Sequence, residues 1–225
     1  INNFLLFFAW VIDSSLNSFI YLIILLFHFF MLKLQLPTDP KWANVAEDNI
    51  REILVDHAFC EQKAASNAIS IITKYPENSE LVEAMSALAI EEMEHFRMVH
   101  QKITDRGWKL GRERKDNYVN ELAKFFQKPG FNRAETLVHK LLFAAMIEAR
   151  SCERFKVLSD NIEDSELAKF YRDLMISEAN HYTMFLKYAH QYGDEICDVD
   201  VIWEDFLKFE AIVINNYGTK EHIHG

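Results

Sequence analysis

The sequence predicts an all-α protein, and three observations support this fold class. Only six Gly and four Pro occur among 225 residues, so helix breakers are scarce. Hydrophobic residues make up 50% of the chain and charged residues 26%, which is typical of a globular protein. Apolar residues recur at helical spacing over four long segments. A chain of this length can bury a substantial core in one domain.

Each helix has a predicted start and end in the sequence. Ser79 is expected to cap the second helix, and Pro129-Gly130 should end a short helical stretch over residues 117–127. A fifth long helix is predicted over residues 201–215, and the tail over residues 218–225 is expected to fray. The four main helices are predicted over residues 44–74, 80–105, 133–159 and 165–192.

The connections between the four main helices are short, long and short. Turns join the first helix to the second and the third to the fourth, whereas residues 107–132 form a long crossover. This loop pattern is typical of ferritin-like four-helix bundles. The predicted architecture is therefore a ferritin-like four-helix bundle with one long crossover between helices 2 and 3, plus a C-terminal helix.

Residues 1–30 differ in composition from the rest of the chain. They contain no Lys, Arg or Glu and a single acid, Asp13, and the first Met is Met31. A signal peptide would need a basic start and a cleavage site. Two interpretations stay open: translated non-coding sequence, which the Ile1 start favours, or a membrane anchor that is barely long enough to span. In both cases residues 31–225 form the catalytic domain, which we expect in the cytoplasm. Because the composition favours the first interpretation, we expect no membrane among the partners of this domain.

Two Glu-x-x-His motifs indicate a metal site. Glu92 and His95 lie on the second predicted helix, and Glu178 and His181 on the fourth. Residues at i and i+3 share one face of a helix, so each pair can direct a carboxylate and an imidazole to one point. The motif is weak on its own, because a third copy, Glu221-x-x-His224, occurs in the tail and is interpreted as chance.

The first and third helices each supply a glutamate at a matching offset. Glu61 lies 31 residues before Glu92, and Glu148 lies 30 residues before Glu178. Antiparallel helices joined by a tight turn place such residues at one depth, and buried carboxylates require a cation. Glu153 is the rival of Glu148, but it lies 25 residues before Glu178 and breaks this symmetry.

Two further residues are candidates for supporting the ligands. Glu91 is expected to hydrogen-bond a ligand histidine, but the equivalent position on the fourth helix is Ser177, so the feature is not duplicated. His57 lies one turn before Glu61, and its position fits a supporting residue and an ordinary packed histidine equally well.

The predicted ligands indicate which metal the site holds. Four carboxylates and two imidazoles are hard to borderline donors, which suit iron or manganese rather than thiophilic metals. Two such ions can reduce O₂ together and attack a C–H bond, or the same centre can oxidise iron. The ligand set therefore fits an O₂-dependent hydroxylase and, as the alternative, a ferritin-like iron-oxidising or iron-binding protein.

Four segments resemble the tRNA 2-methylthio-N6-isopentenyladenosine hydroxylases: DHAFCEQKAASNA, EEMEHFRMV, IEARSCERF and SEANHYTMF. The resemblance covers residues 34–192. It implies a di-iron monooxygenase that uses O₂ to hydroxylate the isopentenyl chain of the modified adenosine beside the anticodon. It also implies two iron ions, O₂ as co-substrate and an external electron donor, such as a reductase. The iron ligands implied by the resemblance are Glu61, Glu92, His95, Glu148, Glu178 and His181.

A tRNA substrate must be held by a chain whose net charge is −10. Such a charge argues against a broadly basic nucleic-acid surface. Residues 102–115 are locally basic, and a tryptophan within them can stack on a base. We hypothesise that this segment contacts the anticodon arm; the alternative is a helix end where cations favour the dipole. The residues concerned are Lys102, Arg106, Trp108, Lys109, Arg112, Arg114 and Lys115.

Overall fold

A computed structural model describes residues 32–127 and 132–224. The chain divides into two compact units, Ile1–Lys33 and Leu34–Gly225, and nearly all of the described residues belong to the second. Both interpretations of residues 1–30, translated non-coding sequence or a membrane anchor, concern residues outside this description. Within the described ranges, no helix has both the length and the apolar character needed to cross a bilayer.

All regular secondary structure in the described residues is helical, and they include no β-strand, which confirms the all-α prediction. Seven α-helices and one 3-10 helix occur in them. In chain order they are α1 Trp42–Asp48, α2 Ile50–Lys74, α3 Ser79–Asp105, α4 Asn117–Leu122, the 3-10 helix Ala123–Phe126, α5 Arg133–Asn161, α6 Ser165–Gly193 and α7 Val199–Tyr217.

Four long helices form the bundle. Helices α2 and α3 pack along their lengths as one hairpin, and α5 and α6 pack as a second. Short connections join the helices within each hairpin, whereas the long crossover between α3 and α5 carries α4 and the 3-10 helix. This is the predicted topology, and α7 is the predicted C-terminal helix.

The predicted first helix is broken, which corrects its expected extent. Helix α1 ends at Asp48 and α2 begins at Ile50, with Asn49 outside helical geometry at φ −126° and ψ 35°. The Asn49 side-chain amide donates a hydrogen bond to the Val45 carbonyl at 2.8 Å. Asn side chains compete in this way with backbone helix bonds, so the break has a local cause.

The helix ends agree with the predicted ones to within two residues elsewhere, but one predicted cap is wrong. Ser79 is the first residue of α3 and Asn78 precedes it without a side-chain cap bond. Four other helices start at acidic or amide caps, whose side chains accept hydrogen bonds from backbone N–H groups of the helix that follows. They are Asp116 before α4, Asn132 before α5, Asp164 before α6 and Asp198 before α7. The predicted stop at Pro129-Gly130 lies outside the described residues.

The tail after α7 is packed against the bundle, so the prediction that it frays is wrong. His222, Ile223 and His224 are buried. The Ile223 N–H donates to Asp56 Oδ2 at 2.8 Å, and the Trp42 indole donates to the Lys220 carbonyl at 2.8 Å. These partners are far away in sequence, so composition near the tail gave no indication of them.

A buried charge network ties α5 to α7 and to the segment before α1. The Arg150 guanidinium is fully buried and contacts Glu210 Oε1 through Nη2 at 2.6 Å and Glu153 Oε2 through Nη1 at 3.0 Å. Thr38 donates to both oxygens of Glu153 at 2.8 and 2.6 Å, and the Tyr118 hydroxyl donates to Glu210 at 2.9 Å. Each carboxylate is therefore compensated by several donors.

Candidate metal centre

The structure brings the six predicted ligands together at the centre of the bundle. All four long helices contribute, and none of the six residues is more than 5% exposed. The cluster, which we call the central cluster, consists of Glu61 on α2, Glu92 and His95 on α3, Glu148 on α5, and Glu178 and His181 on α6.

Two overlapping groups within the central cluster have the spacing of metal ligands. Glu61, Glu92, His95 and Glu178 each offer one atom within 4.8 Å of the others. Glu148 and His181 form the second group with the same Glu92. Because Glu92 is common to both groups, it would contribute to both positions if each group held an ion.

The two histidines direct the same ring atom into the cluster. His95 Nδ1 lies 3.3 Å from Glu92 Oε2, and His181 Nδ1 lies 3.1 Å from Glu92 Oε1. Their ring centroids are 5.9 Å apart. Each imidazole therefore approaches Glu92 from its own helix, as expected for two Glu-x-x-His motifs on facing helices.

Glu91 faces the outer nitrogen of both histidines. Its Oε2 lies 3.3 Å from His181 Nε2, and its Oε1 lies 3.9 Å from His95 Nε2. The Ser177 hydroxyl donates to Glu91 Oε1 at 3.1 Å. One glutamate thus serves both hairpins, and Ser177 orients that glutamate, which explains why the sequence carries no second copy. Such outer partners fix the orientation of metal-binding imidazoles.

His57 contacts Glu61 from one turn earlier on α2. Its Nε2 lies 2.6 Å from Glu61 Oε1, and its ring packs against Phe155 and Tyr171 with centroids 4.8 and 5.5 Å away. Complete burial, followed by the nearby His95, lowers the pKa of His57 to about 3, so the ring is neutral at pH 7. A neutral ring can donate through Nε2–H to an ionised Glu61 carboxylate, and this close contact favours the supporting role over that of an ordinary packed histidine.

The electrostatics of the central cluster require positive charge. Burial raises the pKa of Glu61, Glu178 and Glu148, and repulsion from the other carboxylates adds to this. Burial also opposes ionisation of Glu92, but close contacts with His181 and His95 lower its pKa to about 2. Burial likewise opposes charge on His181, yet the Glu92 contact raises its pKa to about 9.

Several buried atoms of the central cluster have no hydrogen-bond partner in the described residues. They are Oε1 of Glu92, Oε1 of Glu178 and both ring nitrogens of His181. His181 approaches Glu92 at 3.1 Å and Glu91 at 3.3 Å, but neither approach has hydrogen-bond geometry. Buried polar atoms rarely stay unsatisfied in native proteins. Four carboxylates and two imidazoles aimed at one centre fit cations, and the donor set is compatible with two iron ions.

The structure separates the rival carboxylates on α5. Glu148 belongs to the central cluster, whereas Glu153 is bonded to Arg150 and Thr38 in the buried charge network. The third Glu-x-x-His motif does not direct its two side chains to one point. Glu221 contacts Arg114 at 3.1 Å, whereas His224 Nε2 lies 2.9 Å from the Ser151 hydroxyl.

A cavity of about 170 Å³ adjoins the central cluster at Glu148. It lies between α2 and α5, with α4 and the tail completing its wall, and His224 is among the residues that line it. His224 was not predicted to lie near the site, because the tail was expected to fray. The motif that contains it was visible, but its burial depends on contacts with Cys60 and Asp116, each 3.6 Å away.

The basic segment 102–115 is partly neutralised within the chain. Lys102 pairs with Glu166, Arg106 with Asp164 at 2.6 Å, and Arg114 with Glu221 at 3.1 Å. Trp108 is half-buried. The remaining cations, which we call the free basic patch, are exposed and take part in no ion pair with the described residues; they are Lys109, Arg112 and Lys115.

Comparison with known sequences identifies the family. The sequence profile of the tRNA-(MS[2]IO[6]A)-hydroxylase (MiaE) family matches residues 26–225. This chain belongs to that hydroxylase family. The family predicted from the four segments is therefore confirmed, and the matched region contains the whole central cluster.

Individual relatives agree with the family assignment. A tRNA 2-(methylsulfanyl)-N(6)-isopentenyladenosine(37) hydroxylase of Pseudomonas putida is 41% identical over 159 residues, which is 71% of this chain and 76% of that protein. A hydroxylase of the same name from Salmonella typhimurium is 28% identical over 230 residues, covering 80% of this chain and 83% of the relative.

A solved structure resembles the fold of this hydroxylase family member. It is described as protein 43 with aldehyde deformylating oxygenase activity from Synechococcus. The TM-score is 0.74 and the sequence identity 30%, with 85% of this chain and 95% of that chain covered. An oxygenase with this helical architecture supports both the predicted bundle and the predicted class of enzyme, a di-iron monooxygenase.

Proposed function

We propose that this chain is an O₂-dependent di-iron hydroxylase that acts on the isopentenyl side chain of 2-methylthio-N6-isopentenyladenosine in tRNA, next to the anticodon. The observation that carries the proposal is the central cluster, in which four carboxylates and two imidazoles meet inside the bundle of a tRNA hydroxylase family member. Names of relatives supply the substrate, and the donor set supplies the reaction class.

Each residue of the central cluster has a distinct role in this proposal. Glu61, His95 and Glu178 would hold one metal ion, Glu148 and His181 would hold the other, and Glu92 would contribute to both. When bound, two iron ions supply the two-electron activation of O₂ that hydroxylation of a C–H bond requires. Separate reductase proteins provide the electrons, and the enzyme acts in the cytoplasm.

The surrounding residues keep the ligands in position and exclude water. His57 Nε2 contacts Glu61 at 2.6 Å, and the Glu91 carboxylate faces the outer nitrogens of His181 and His95 at 3.3 and 3.9 Å. Because every residue of the central cluster is buried, the protein itself restricts the access of bulk water to the cluster. Orientation by outer partners typically changes metal affinity or activity 10–100-fold.

The proposal is tested by metal analysis and a hydroxylation assay on the full chain. We expect about two irons per chain after anaerobic loading with Fe(II), as in other di-iron bundles. Reduced protein given O₂ should add one oxygen atom to isopentenylated, methylthiolated tRNA, detected by mass spectrometry of the nucleosides, and should leave unmodified tRNA unchanged. Iron oxidation without a hydroxylated nucleoside would instead support the ferritin-like alternative, and a chain that binds no iron would refute both.

The free basic patch is the part of segment 102–115 that can contact tRNA. Arg114 no longer fits a tRNA contact, because its guanidinium bonds the backbone carbonyl of Glu221 and holds the tail. Lys102 and Arg106 are likewise paired with α6 and its cap. Lys109, Arg112 and Lys115 keep exposed charge for phosphates, and Trp108 lies within the same segment for stacking on a base.

Replacing Lys109, Arg112 and Lys115 together with Ser should weaken tRNA binding about tenfold or more at physiological salt. Lost phosphate contacts reduce the slope of log affinity against log salt by roughly one per cation. Affinity would be measured by filter binding over a salt series, with iron content as a check on folding. The matched control changes Lys169, Lys187 and Lys208 to Ser, which alters net charge equally at exposed lysines elsewhere. Equal weakening in both triple variants would assign the effect to net charge alone.

A further inference from the structure

We infer that the cavity beside Glu148 receives the isopentenyl side chain of the substrate; this inference rests on the proposed function and adds the place of binding. The cavity measures about 170 Å³ and reaches the central cluster at Glu148. Its lining comes chiefly from α2 and α5, and the buried polar residues Asp116, Glu148 and His224 also line it. The apolar part of the lining includes Ala64, Phe143, Ala144, Ile147 and Phe185.

The exposure of the lining residues gives the cavity a direction. Glu148 and Phe185 are buried and mark its inner end, whereas Lys63 and Asn67 are more exposed and mark the mouth. Lys63 pairs there with Glu113 at 2.8 Å. A side chain that enters from this mouth reaches the central cluster at Glu148, while the base that carries it stays near the solvent, where its polar groups keep their partners.

The cavity is large enough for the side chain. An isopentenyl group has roughly the volume of three or four water molecules, on the order of 100 Å³ at about 30 Å³ per water. A cavity of about 170 Å³ can hold that group, and we expect the larger purine and ribose to stay at the mouth. Small residues at positions 64 and 144 keep this space open.

The histidines leave the Glu148 side of the central cluster open to the substrate. The Nε2 atoms of His95 and His181 both face Glu91, and no histidine of the central cluster lines the cavity. The reacting C–H bond would therefore approach the metal positions from the carboxylate side. His224 closes the cavity on the tail side, where Ser151 holds its Nε2 at 2.9 Å.

The test compares tRNA binding by the metal-free full chain with and without a filled cavity. The wild-type protein should bind an isopentenylated anticodon stem-loop on the order of tenfold more tightly than the unmodified one, because apolar surface is buried. Ala144→Leu should abolish this preference, keep the affinity for unmodified stem-loop, and retain iron binding. It should also lose hydroxylation.

Two further variants keep the test decisive. Ala64→Leu fills the cavity from α2 and replaces Ala144→Leu if the latter does not fold. Ala87→Leu makes the same change at an exposed position of α3 and should leave the preference intact. If the wild type hydroxylates but both cavity variants keep the preference, or the wild type shows none, the inference about the cavity is overturned. If the wild type neither prefers isopentenylated stem-loop nor hydroxylates it, the proposed function itself fails.

Discussion

Replacing Glu92 with Ala should remove both irons and lower hydroxylation by more than about 100-fold. Glu92 is the one residue common to both ligand groups, so its loss weakens both metal positions at once. Even partners outside the ligand set commonly change metal affinity or activity 10–100-fold, and a shared ligand should matter more. Iron per chain by elemental analysis and product by mass spectrometry would measure the two effects, with circular dichroism to verify the helical fold.

Two comparison variants test whether the shared position of Glu92 is the reason. Glu148→Ala removes a ligand that belongs to one group only, so the protein should keep about one iron. Glu91→Gln leaves all six ligands and should weaken iron binding by about 10–100-fold without abolishing it. Full iron content in Glu92→Ala would show that Glu92 is not a ligand, and a loss of both irons in Glu148→Ala would show that the two positions are not separable.

Replacing Arg150 with Met should destabilise the fold by about 3–5 kcal/mol, which is roughly 10 °C in melting temperature for a chain of this size. The guanidinium is fully buried and is the main cation for Glu210 and Glu153, which are buried as well. Burial raises the pKa of Glu210 even with Arg150 present, so its ionised form depends on this partner. Denaturant unfolding of the metal-free protein would measure the change.

The buried position of the pair, rather than the loss of a positive charge, should cause this effect. Lys208→Met removes an exposed lysine that pairs with Asp205 at 2.7 Å, and should have no measurable effect. The double variant Arg150→Met, Glu210→Leu should recover a large part of the lost stability, because apolar groups can replace a buried ion pair. A small effect of Arg150→Met alone would mean that water reaches the network.

The features that follow from local spacing were predictable from sequence. Helical periodicity and sparse Gly and Pro gave the bundle and its crossover. The nearly equal offsets from Glu61 to Glu92 and from Glu148 to Glu178 predicted that these carboxylates meet, because a helical hairpin brings mirrored positions to one depth. The roles of these residues as iron ligands stay a prediction until metal is measured.

The features that were missed depend on contacts between distant parts of the chain. A contact between Glu91 and a ligand histidine was predicted, but not that Glu91 on α3 reaches His181 on α6, because periodicity within one hairpin carries no information about the second. Asp56 binds the backbone of Ile223, which is 167 residues away, so the packed tail could not be inferred from its composition. The neutralisation of Arg106 by Asp164 similarly depends on how the crossover lies against α6.

The Glu-x-x-His motifs and most of the cavity lining lie on different helices, which has a consequence for how such enzymes diversify. The Glu-x-x-His motifs lie on the second helix of each hairpin, whereas the cavity is lined mainly by the first helices, with Phe185 as an exception. Mutations at positions such as Phe143 or Ile147 can reshape the cavity without touching a histidine. Selection for a new substrate can therefore act on these cavity positions while Glu61, Glu148 and the two Glu-x-x-His motifs stay unchanged. An oxygenase named for aldehyde deformylation shares this fold with a TM-score of 0.74, as such an evolutionary route would allow.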